Sequence, residues 1–374
     1  MSDSAQLPQP ARTLPAAVRP LLWCGAALLA VAAPLSLTSF WLQTGLFAMA
    51  AAIGAIGLTL LVGVTGQLSL GHAFFVAVGA FGYAFLAGSG DSKVGGLGLA
   101  PPLAAAGAVA LAGAAGALFS PIAGRLRGIY LGLASLGLVF LGQHIMHNAT
   151  AVTGGFNGRD VAPFELFGFS FTGSNPDLVL FHVPFGALER LWYLGLALVV
   201  LAYWYARNLL SGRPGRALVG VRDSEVAAAV MGVDVRRYKA AAFTVSSAYA
   251  GLAGVLLALA FGRIVPDSFG FVLSIDFLAM IIIGGLGSLA GSVAGAVLVT
   301  ALPLLLSHYS DVIPFLATPG ESGVGAAEAA RLLYGAAVIA VLLFARGGLA
   351  QLLRPIPPVK KEPSHESKVL GTGS

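Results

Sequence analysis

The sequence predicts an all-α, polytopic membrane protein with about ten transmembrane helices. Hydrophobic residues make up 57% of the 374 residues and charged residues only 10%, whereas roughly 25% of the residues in soluble domains are charged. Apolar runs of about 18 residues or more recur along the chain, and such runs are typical of helices that cross a bilayer. The period-two alternation that a transmembrane barrel requires is absent, so helices are the remaining way to satisfy the backbone in lipid.

Ten apolar segments account for the predicted helices. In chain order they are residues 21–40, 44–64, 72–88, 100–121, 128–147, 190–206, 240–262, 273–286, 289–306 and 329–345. The first could instead be a signal peptide cleaved near Ala30–Ala32, but its length and the spans that follow at once favour an uncleaved helix. The eighth and ninth are separated only by Gly284–Ser288, so this stretch allows either one long tilted helix or two passes joined by a tight glycine turn.

The distribution of charge predicts the orientation, because short loops rich in Lys and Arg stay cytoplasmic. The loop at Arg125 and the connector 207–239 are basic, whereas the loop 148–189 holds four acidic residues against one arginine, Arg159. A basic C-terminus requires an even number of passes after the connector, which favours ten spans. Residues 1–20 and 346–374 are therefore predicted as cytoplasmic tails, the second disordered, on either side of a transmembrane domain over 21–345. A glycine repeat at Gly287, Gly291 and Gly295 instead suits one continuous packing face, unless the second helix begins near Gly287.

The motifs that the sequence lacks favour transport over catalysis. It contains no Gly-x-x-x-x-Gly-Lys-Ser/Thr phosphate loop, no His-Glu-x-x-His zinc motif and no nucleophile elbow. One cysteine, Cys24, excludes an internal disulfide and a thiolate metal site within the chain, and the six histidines form no spaced ligand set. We therefore predict neither an enzyme nor a cofactor or metal in this chain. Since its basic residues flank spans, the net charge of +5 does not indicate a nucleic-acid partner.

The first polar interruption of the apolar pattern is Gly66–His72, between the second and third spans. Its glycines, next to Gln67, Ser69 and His72, indicate irregular backbone. Lipid tolerates such backbone only where protein or water covers it. These three residues are candidates for the translocation path, and the alternative is an ordinary turn at the cytoplasmic surface.

Two further polar features lie toward the predicted outer side. Gln143 and His147 end the fifth span and are followed by Asn157 in a glycine-rich loop, so these residues are candidates for substrate entry or belong to an exposed helix end. Asp276 lies near the start of the eighth span. A carboxylate inside a membrane is costly and therefore a functional candidate, but its position near the outer end favours the surface.

The connector 207–239 is the most polar part of the chain, with seven Lys/Arg and three Asp/Glu residues. Within it, Glu225–Gly232 combines helix-forming residues with a glycine that can end a helix, and Asp223 or Ser224 could cap its start. We predict a short amphipathic helix along the cytoplasmic face. A solvated helix without a partner is the alternative, but the length of the connector favours docking.

Five motifs together resemble the permease subunits of ABC importers for branched-chain amino acids, specifically the LivM-like branch. They are Gly66-Gln-Leu-Ser-Leu-Gly-His-Ala-Phe-Phe75, Arg125-Leu-Arg-Gly-Ile-Tyr130, Thr153-Gly-Gly-Phe-Asn-Gly158, the connector from Gly215 to Lys239, and Gly284-Gly-Leu-Gly-Ser-Leu289. The resemblance extends over most of residues 45–345. It implies an ABC importer permease-like bundle in the bacterial inner (plasma) membrane.

The resemblance also implies partners. ATP would be used by separate ABC ATPase subunits, a periplasmic substrate-binding protein would deliver the amino acid, and a second, related but different permease would complete the pore within membrane lipid. The implied ATPase-docking residues are Arg216, Arg222, Asp223, Glu225, Ala227, Ala228 and Gly232. Glu225 and Gly232 are one residue further apart than the family pattern commonly has.

Three alternatives remain at this point. A related permease could carry urea, short amides or aromatic acids. A secondary transporter would need paired intramembrane charges for ion coupling, and the sequence offers no convincing pair. A membrane scaffold without transport would not need the Gly66–His72 element.

Overall fold

The computed structural model describes residues 29–89, 95–126, 128–173, 178–180, 183–309, 325–344 and 348–350. The predicted tail 1–20, the start of the first predicted span and nearly all of the tail 346–374 lie outside the described residues. Helices dominate the described part, which agrees with the predicted all-α membrane class.

The helices, in chain order, are α1 (residues 29–36), α2 (Ser39–Leu58), α3 (His72–Ala87), α4 (Pro101–Arg125), α5 (Ile129–Asn148), α6 (Thr150–Thr153), α7 (Ala187–Ser211), α8 (Arg213–Asp223), α9 (Glu225–Val230), α10 (Val235–Phe261), α11 (Phe271–Gly284), α12 (Leu289–His308) and α13 (Ala326–Phe344). A π-helical segment, Thr59–Val64, extends α2, and Gly155–Asn157 and Pro266–Phe269 are 3₁₀ turns.

Short strands form three antiparallel pairs. They are β1 (Arg159–Asp160), β2 (Glu165–Leu166), β3 (Phe169–Ser170), β4 (Leu178–Leu180), β5 (Val183–Phe185) and β6 (Arg263–Ile264), paired β1–β6, β2–β3 and β4–β5. Five of the six belong to the predicted outer loop 148–189. The first pair ties that loop to the segment that follows α10.

Helices occupy the second to the tenth predicted spans, and α1 occupies part of the first. By length and composition alone, seven helices in the described part could cross a membrane: α2 with its π-helical end, α4, α5, α7, α10, α11 with its preceding 3₁₀ turn, and α12. α3 is apolar but has only 16 residues. The predicted boundary between the first two spans is wrong by a few residues, because the helix break falls at residues 37–38.

The stretch from 273 to 306 is two helices. α11 ends at Gly284 and α12 begins at Leu289. Gly285 and Gly287 form the turn between them with φ of +108° and +83°, values that favour glycine. A Cβ added to Gly284 would lie 2.2 Å from the oxygen of Gly291, and one added to Gly295 would lie 2.0 Å from the oxygen of Met280. These contacts run antiparallel, so the stretch forms two helices, as the charge pattern favoured, and not one long helix.

α10 lies at the centre of the bundle and packs against α2, α3 and α4. Glycine lets the backbones approach, since a Cβ on Gly79 of α3 would lie 2.2 Å from the oxygen of Gly251 of α10. Small residues at such crossings are the usual basis of helix packing in membranes, where apolar burial alone provides little driving force. The packing leaves the loop after α2 and the connector before α10 at the same end of the molecule.

Candidate functional site

The chain between α2 and α3 turns back into the bundle. Residues 66–71 are not helical, Gly66 has φ of +71°, and buried residues alternate with more exposed ones from Gly66 to Gly71, as in an extended chain. His72 hydrogen-bonds the backbone of Gly54, which precedes the end of the π-helical segment by ten residues, or about 15 Å of helix. The predicted irregular backbone is therefore present, and it lies at the level of the bundle interior rather than at a surface turn.

Serine hydroxyls hold this re-entrant segment in place. The amide of Leu70 donates to Ser135 Oγ of α5 over 2.8 Å, and the amide of Ala73 donates to Ser274 Oγ of α11 over 3.0 Å. Ser69 Oγ accepts from the amide of Gly71 at 3.3 Å. Ser69 thus forms a local turn with Gly71. The two serines from other helices satisfy backbone amides that an unbroken helix would have satisfied internally.

Gln67 and His72 are buried in this segment, each with one polar atom that has no hydrogen-bond partner among the described residues. Gln67 is 4% exposed and His72 is 2% exposed. Gln67 Nε2 donates to Thr65 Oγ1 at 3.1 Å and to the oxygen of Lys239 at 3.3 Å, but its Oε1 is unpartnered. His72 packs edge-on against Phe277 at 4.9 Å, and its Nε2 is unpartnered.

The connector folds into two helices with a break between them. α8 ends at Asp223, and Ser224 is extended with φ of −160°. Ser224 Oγ accepts a hydrogen bond from the amide of Ala227, so Ser224, and not Asp223, is the cap of α9. Gly232 follows with φ of +84°, as predicted for a helix end. α8 and α9 are therefore two separate helices, because the Ser224 cap interrupts the chain between them.

The exposed face of α9 is apolar. Val226, Val230 and Met231 are 75%, 84% and 84% exposed, and Ala227 is exposed beside them. Of the other predicted docking residues, Arg216, Arg222, Asp223 and Gly232 are exposed, whereas Ala228 is buried and Glu225 half-buried. Reasoning from the sequence missed the two valines and Met231. Their spacing on a helix that is too short to bury them all was the available signal.

Two contacts tie the connector to the re-entrant segment. Arg222 donates from Nη1 to the oxygen of Gly63, at the π-helical end of α2, over 3.1 Å. Lys239 of α10 pairs through Nζ with Glu225 of α9, and its backbone oxygen accepts from Gln67. Lys239 is another functional candidate that the sequence did not reveal, because its two partners are distant in the chain.

The predicted entry residues meet at the opposite end. His147 Nε2 lies 3.2 Å from Asp267 Oδ1, its Nδ1 lies 2.8 Å from the oxygen of Gln143, and its ring packs on Phe156 at 4.4 Å. The backbone oxygen of Asn157 accepts from Arg263 at 2.8 Å. Gln143, His147 and Asn157 therefore belong to one region at this end of the molecule, separate from Gln67, Ser69 and His72.

A cavity of about 870 Å³ opens beside this region, and Asp160, Glu165 and Arg263 are among its charged lining residues. Arg159 is 4% exposed and donates to the backbone oxygens of Val152 and Gly95. Burial lowers the pKa of its guanidinium. The lone basic residue of the predicted outer loop is thus a structural clamp that fastens the loop to the bundle.

Asp276 is half-buried. Its Oδ1 accepts a 2.5 Å hydrogen bond from the hydroxyl of Tyr334 on α13. This contact joins α11 to α13. No group of three or more potential metal ligands occurs among the described residues.

Known transport permeases are similar to this chain over much of its length. Residues 40–342 match the family model for the permease component of branched-chain amino acid transport systems. The high-affinity branched-chain amino acid transport system permease protein LivM of Escherichia coli K12 is 32% identical, over 87% of this chain and 74% of its own length. LivH of Salmonella typhimurium is 26% identical over 71% of this chain and 85% of its own length. The ribose import permease protein RbsC of Escherichia coli K12 is 26% identical over 66% of this chain and 71% of its own length. No solved structure matches significantly.

Proposed function

This chain belongs to the family of permease components of branched-chain amino acid transport systems, and on that premise we propose that it carries branched-chain amino acids into the cell. It is a multi-pass permease of the bacterial inner membrane and an ABC importer subunit, which works with ATPase subunits and a second permease. The proposal adds a periplasmic binding protein that delivers the amino acid, and an orientation with both termini in the cytoplasm.

The exposed apolar face of α9 is the observation that carries the proposed ATPase contact. Three large apolar side chains, Val226, Val230 and Met231, project from a helix in the most charged part of the chain. Such a patch with a polar rim is typical of a protein–protein contact. Arg216 and Asp223 are exposed in the same connector and would add polar contacts, while Ala228 is buried and Glu225 pairs with Lys239 of the bundle.

The contacts of Arg222 and Lys239 support mechanical coupling between the ATPase and the transmembrane helices. An ATPase that moves α9 would move Glu225 with it and would act through Lys239 on α10. Arg222 would act on the π-helical end of α2 through Gly63. Rigid displacement of packed helices is a common form of conformational switching. These two contacts join the connector to α2 and to α10.

The proposed orientation rests on the clustering of basic residues at one end. The connector with its seven Lys/Arg residues lies at the same end as Gly63 and the 285–288 turn, since a Cβ on Gly63 would lie 2.4 Å from the amide nitrogen of Gly287. Basic loops stay cytoplasmic. The region of His147 and Asn157 then faces the periplasm, where it would receive substrate.

Reconstitution tests the proposed function. The chain is placed in proteoliposomes with the ATPase subunits, the second permease and the binding protein, and uptake of leucine, isoleucine and valine is measured with urea and an aromatic acid as comparison substrates. We expect ATP-dependent uptake of the branched-chain amino acids and ATP hydrolysis stimulated by loaded binding protein. Uptake driven by a proton gradient without the ATPase would contradict the ABC mechanism, and preferential uptake of urea or the aromatic acid would contradict the proposed cargo.

A further inference from the structure

The re-entrant segment has features of a substrate-contacting surface. We propose that Gln67 Oε1 and His72 Nε2 accept hydrogen bonds, one after the other, from the α-ammonium group of an amino acid on its way through the protein. This inference rests on the proposed function, and it assigns to two residues a specific part of the substrate.

The backbone of residues 66–71 is the first reason. Non-helical backbone at membrane depth occurs where protein covers it or where it lines a water-filled path, because lipid cannot satisfy its amides and carbonyls. Here hydroxyls of Ser135 and Ser274 satisfy two of the amides across helix boundaries. A segment held by single side-chain hydrogen bonds can separate from its neighbours at lower cost than a segment that is bonded within a helix.

The unpartnered atoms are the second reason. A buried acceptor without a hydrogen bond costs the folded protein about 1–3 kcal/mol, so most buried polar groups are paired. Gln67 and His72, at the two ends of this one segment, are exceptions. A protein that alternates between two arrangements can retain such groups when a ligand or water reaches them in the other arrangement.

The type of atom identifies the chemical group that fits. The amide oxygen of Gln67 can only accept, because its Nε2 is the donating end and is already bonded to Thr65 and Lys239. The other nitrogen of the His72 ring hydrogen-bonds the backbone of Gly54, and in the neutral ring that nitrogen is the donor and leaves Nε2 as an acceptor. Two free acceptors suit an ammonium group, which has three N–H donors.

The spacing of the two residues implies succession. Four residues lie between them in the non-helical segment. Their side chains have different neighbours, so the proposal places the two acceptors at successive positions along the path. His72 lies beside Gly54 within the bundle, and Gln67 lies beside Lys239 at the connector end. Neutral acceptors also hold an ammonium more weakly than a carboxylate would, which suits a path from which the substrate must leave.

Cysteine accessibility tests the location. In a Cys24→Ala background, Gln67→Cys and His72→Cys are compared in the reconstituted complex with Thr44→Cys, using a membrane-impermeant methanethiosulfonate. Thr44 is 5% exposed, as buried as the test positions, but its hydroxyl donates to Phe40 at 2.8 Å. We expect modification at 67 and 72 to become at least about tenfold faster during ATP turnover and to slow with saturating leucine, whereas position 44 stays unreactive.

Uptake kinetics test the chemistry. His72→Phe should raise the KM for leucine about tenfold, equivalent to about 1.4 kcal/mol, and His72→Gln, which restores an acceptor, should recover most of it. The 2-oxo acid analogue of leucine, which lacks the ammonium group, should be carried poorly by the parent chain and no worse by His72→Phe. Unchanged accessibility at 67 and 72, or equal discrimination in parent and variant, would overturn the inference while the parent still transports leucine. A parent chain without ATP-dependent uptake would instead overturn the proposed function, and the inference with it.

Discussion

Arg222 Nη1 donates a 3.1 Å hydrogen bond to the backbone oxygen of Gly63, although 159 residues separate them in the chain. The contact joins the end of α8 to the π-helical end of α2. π-Helical turns are rare and occur frequently at functional sites. The most charged segment of the protein is thus bonded to an irregular part of an otherwise apolar helix.

Arg222→Gln should therefore reduce coupling. A hydrogen bond from a charged donor contributes about 1.5–3 kcal/mol, so its loss should lower the amount of amino acid transported per ATP hydrolysed by about tenfold or more. The measurement is parallel uptake and phosphate release in proteoliposomes. Arg213→Gln is the matched control, because Arg213 is an exposed arginine of the same connector that has no proposed part in docking. Equal ratios for the two variants would contradict the role of the Arg222–Gly63 contact.

The Lys239–Glu225 pair should stabilise the attachment of α9. The Lys239 side chain is 7% exposed and that of Glu225 is 29% exposed. Breaking a fully buried pair costs about 3–5 kcal/mol, and the partial exposure of Glu225 reduces our expectation for Lys239→Met to about 2 kcal/mol. The measurement is thermal unfolding of the purified chain in detergent. The double exchange Glu225→Lys/Lys239→Glu should recover part of the loss, and a double variant no more stable than Lys239→Met would show that the charges do not interact.

The sequence predicted the helices of this fold better than the contacts between them. Apolar length and charge located nearly all of the helices and decided that two passes lie between 273 and 306. The glycines around Gln67 indicated irregular backbone correctly. The depth of that backbone was not predictable, because it depends on Gly54, Ser135 and Ser274, which no local pattern connects with it. The same is true of Lys239, whose position beside Arg236 and Arg237 at the basic start of α10 gives no sign of its two partners.

The crossing of α3 and α10 should tolerate no added methyl group. Gly79→Ala would place a Cβ 2.2 Å from the oxygen of Gly251, a backbone atom that cannot rotate away as a side chain could. Overpacking of this kind costs about 1–3 kcal/mol. We expect lower thermal stability and less folded protein in the membrane. Gly137→Ala in α5 is the control, since nothing lies within 4 Å of its Cβ and alanine favours the helix more than glycine does. Similar losses of stability in both variants would mean that the crossing of α3 and α10 is not responsible.

The exposed face of α9 should control assembly with the ATPase. Val230→Glu places a charge in the middle of the apolar patch, and we expect co-purification of the ATPase subunits to fall at least about tenfold, since interface centres dominate binding energy. Val272→Glu is the control, because Val272 is an exposed valine at the opposite end of the molecule. Insertion is checked for both variants by extraction from the membrane fraction. If Val230→Glu retains the ATPase as fully as Val272→Glu does, docking through α9 is excluded.

The orientation can be tested with two exposed positions at opposite ends. Met231 is 84% exposed next to α9, and Phe167 is fully exposed in the β2–β3 turn of the outer loop. In a Cys24→Ala background, Phe167→Cys should react with an impermeant maleimide added to spheroplasts, whereas Met231→Cys should react only after the membrane is opened. The positive-inside rule predicts this order because the basic connector carries Met231. The reverse order of labelling would show that the proposed orientation is wrong, because α9 would then lie where no cytoplasmic ATPase could reach it.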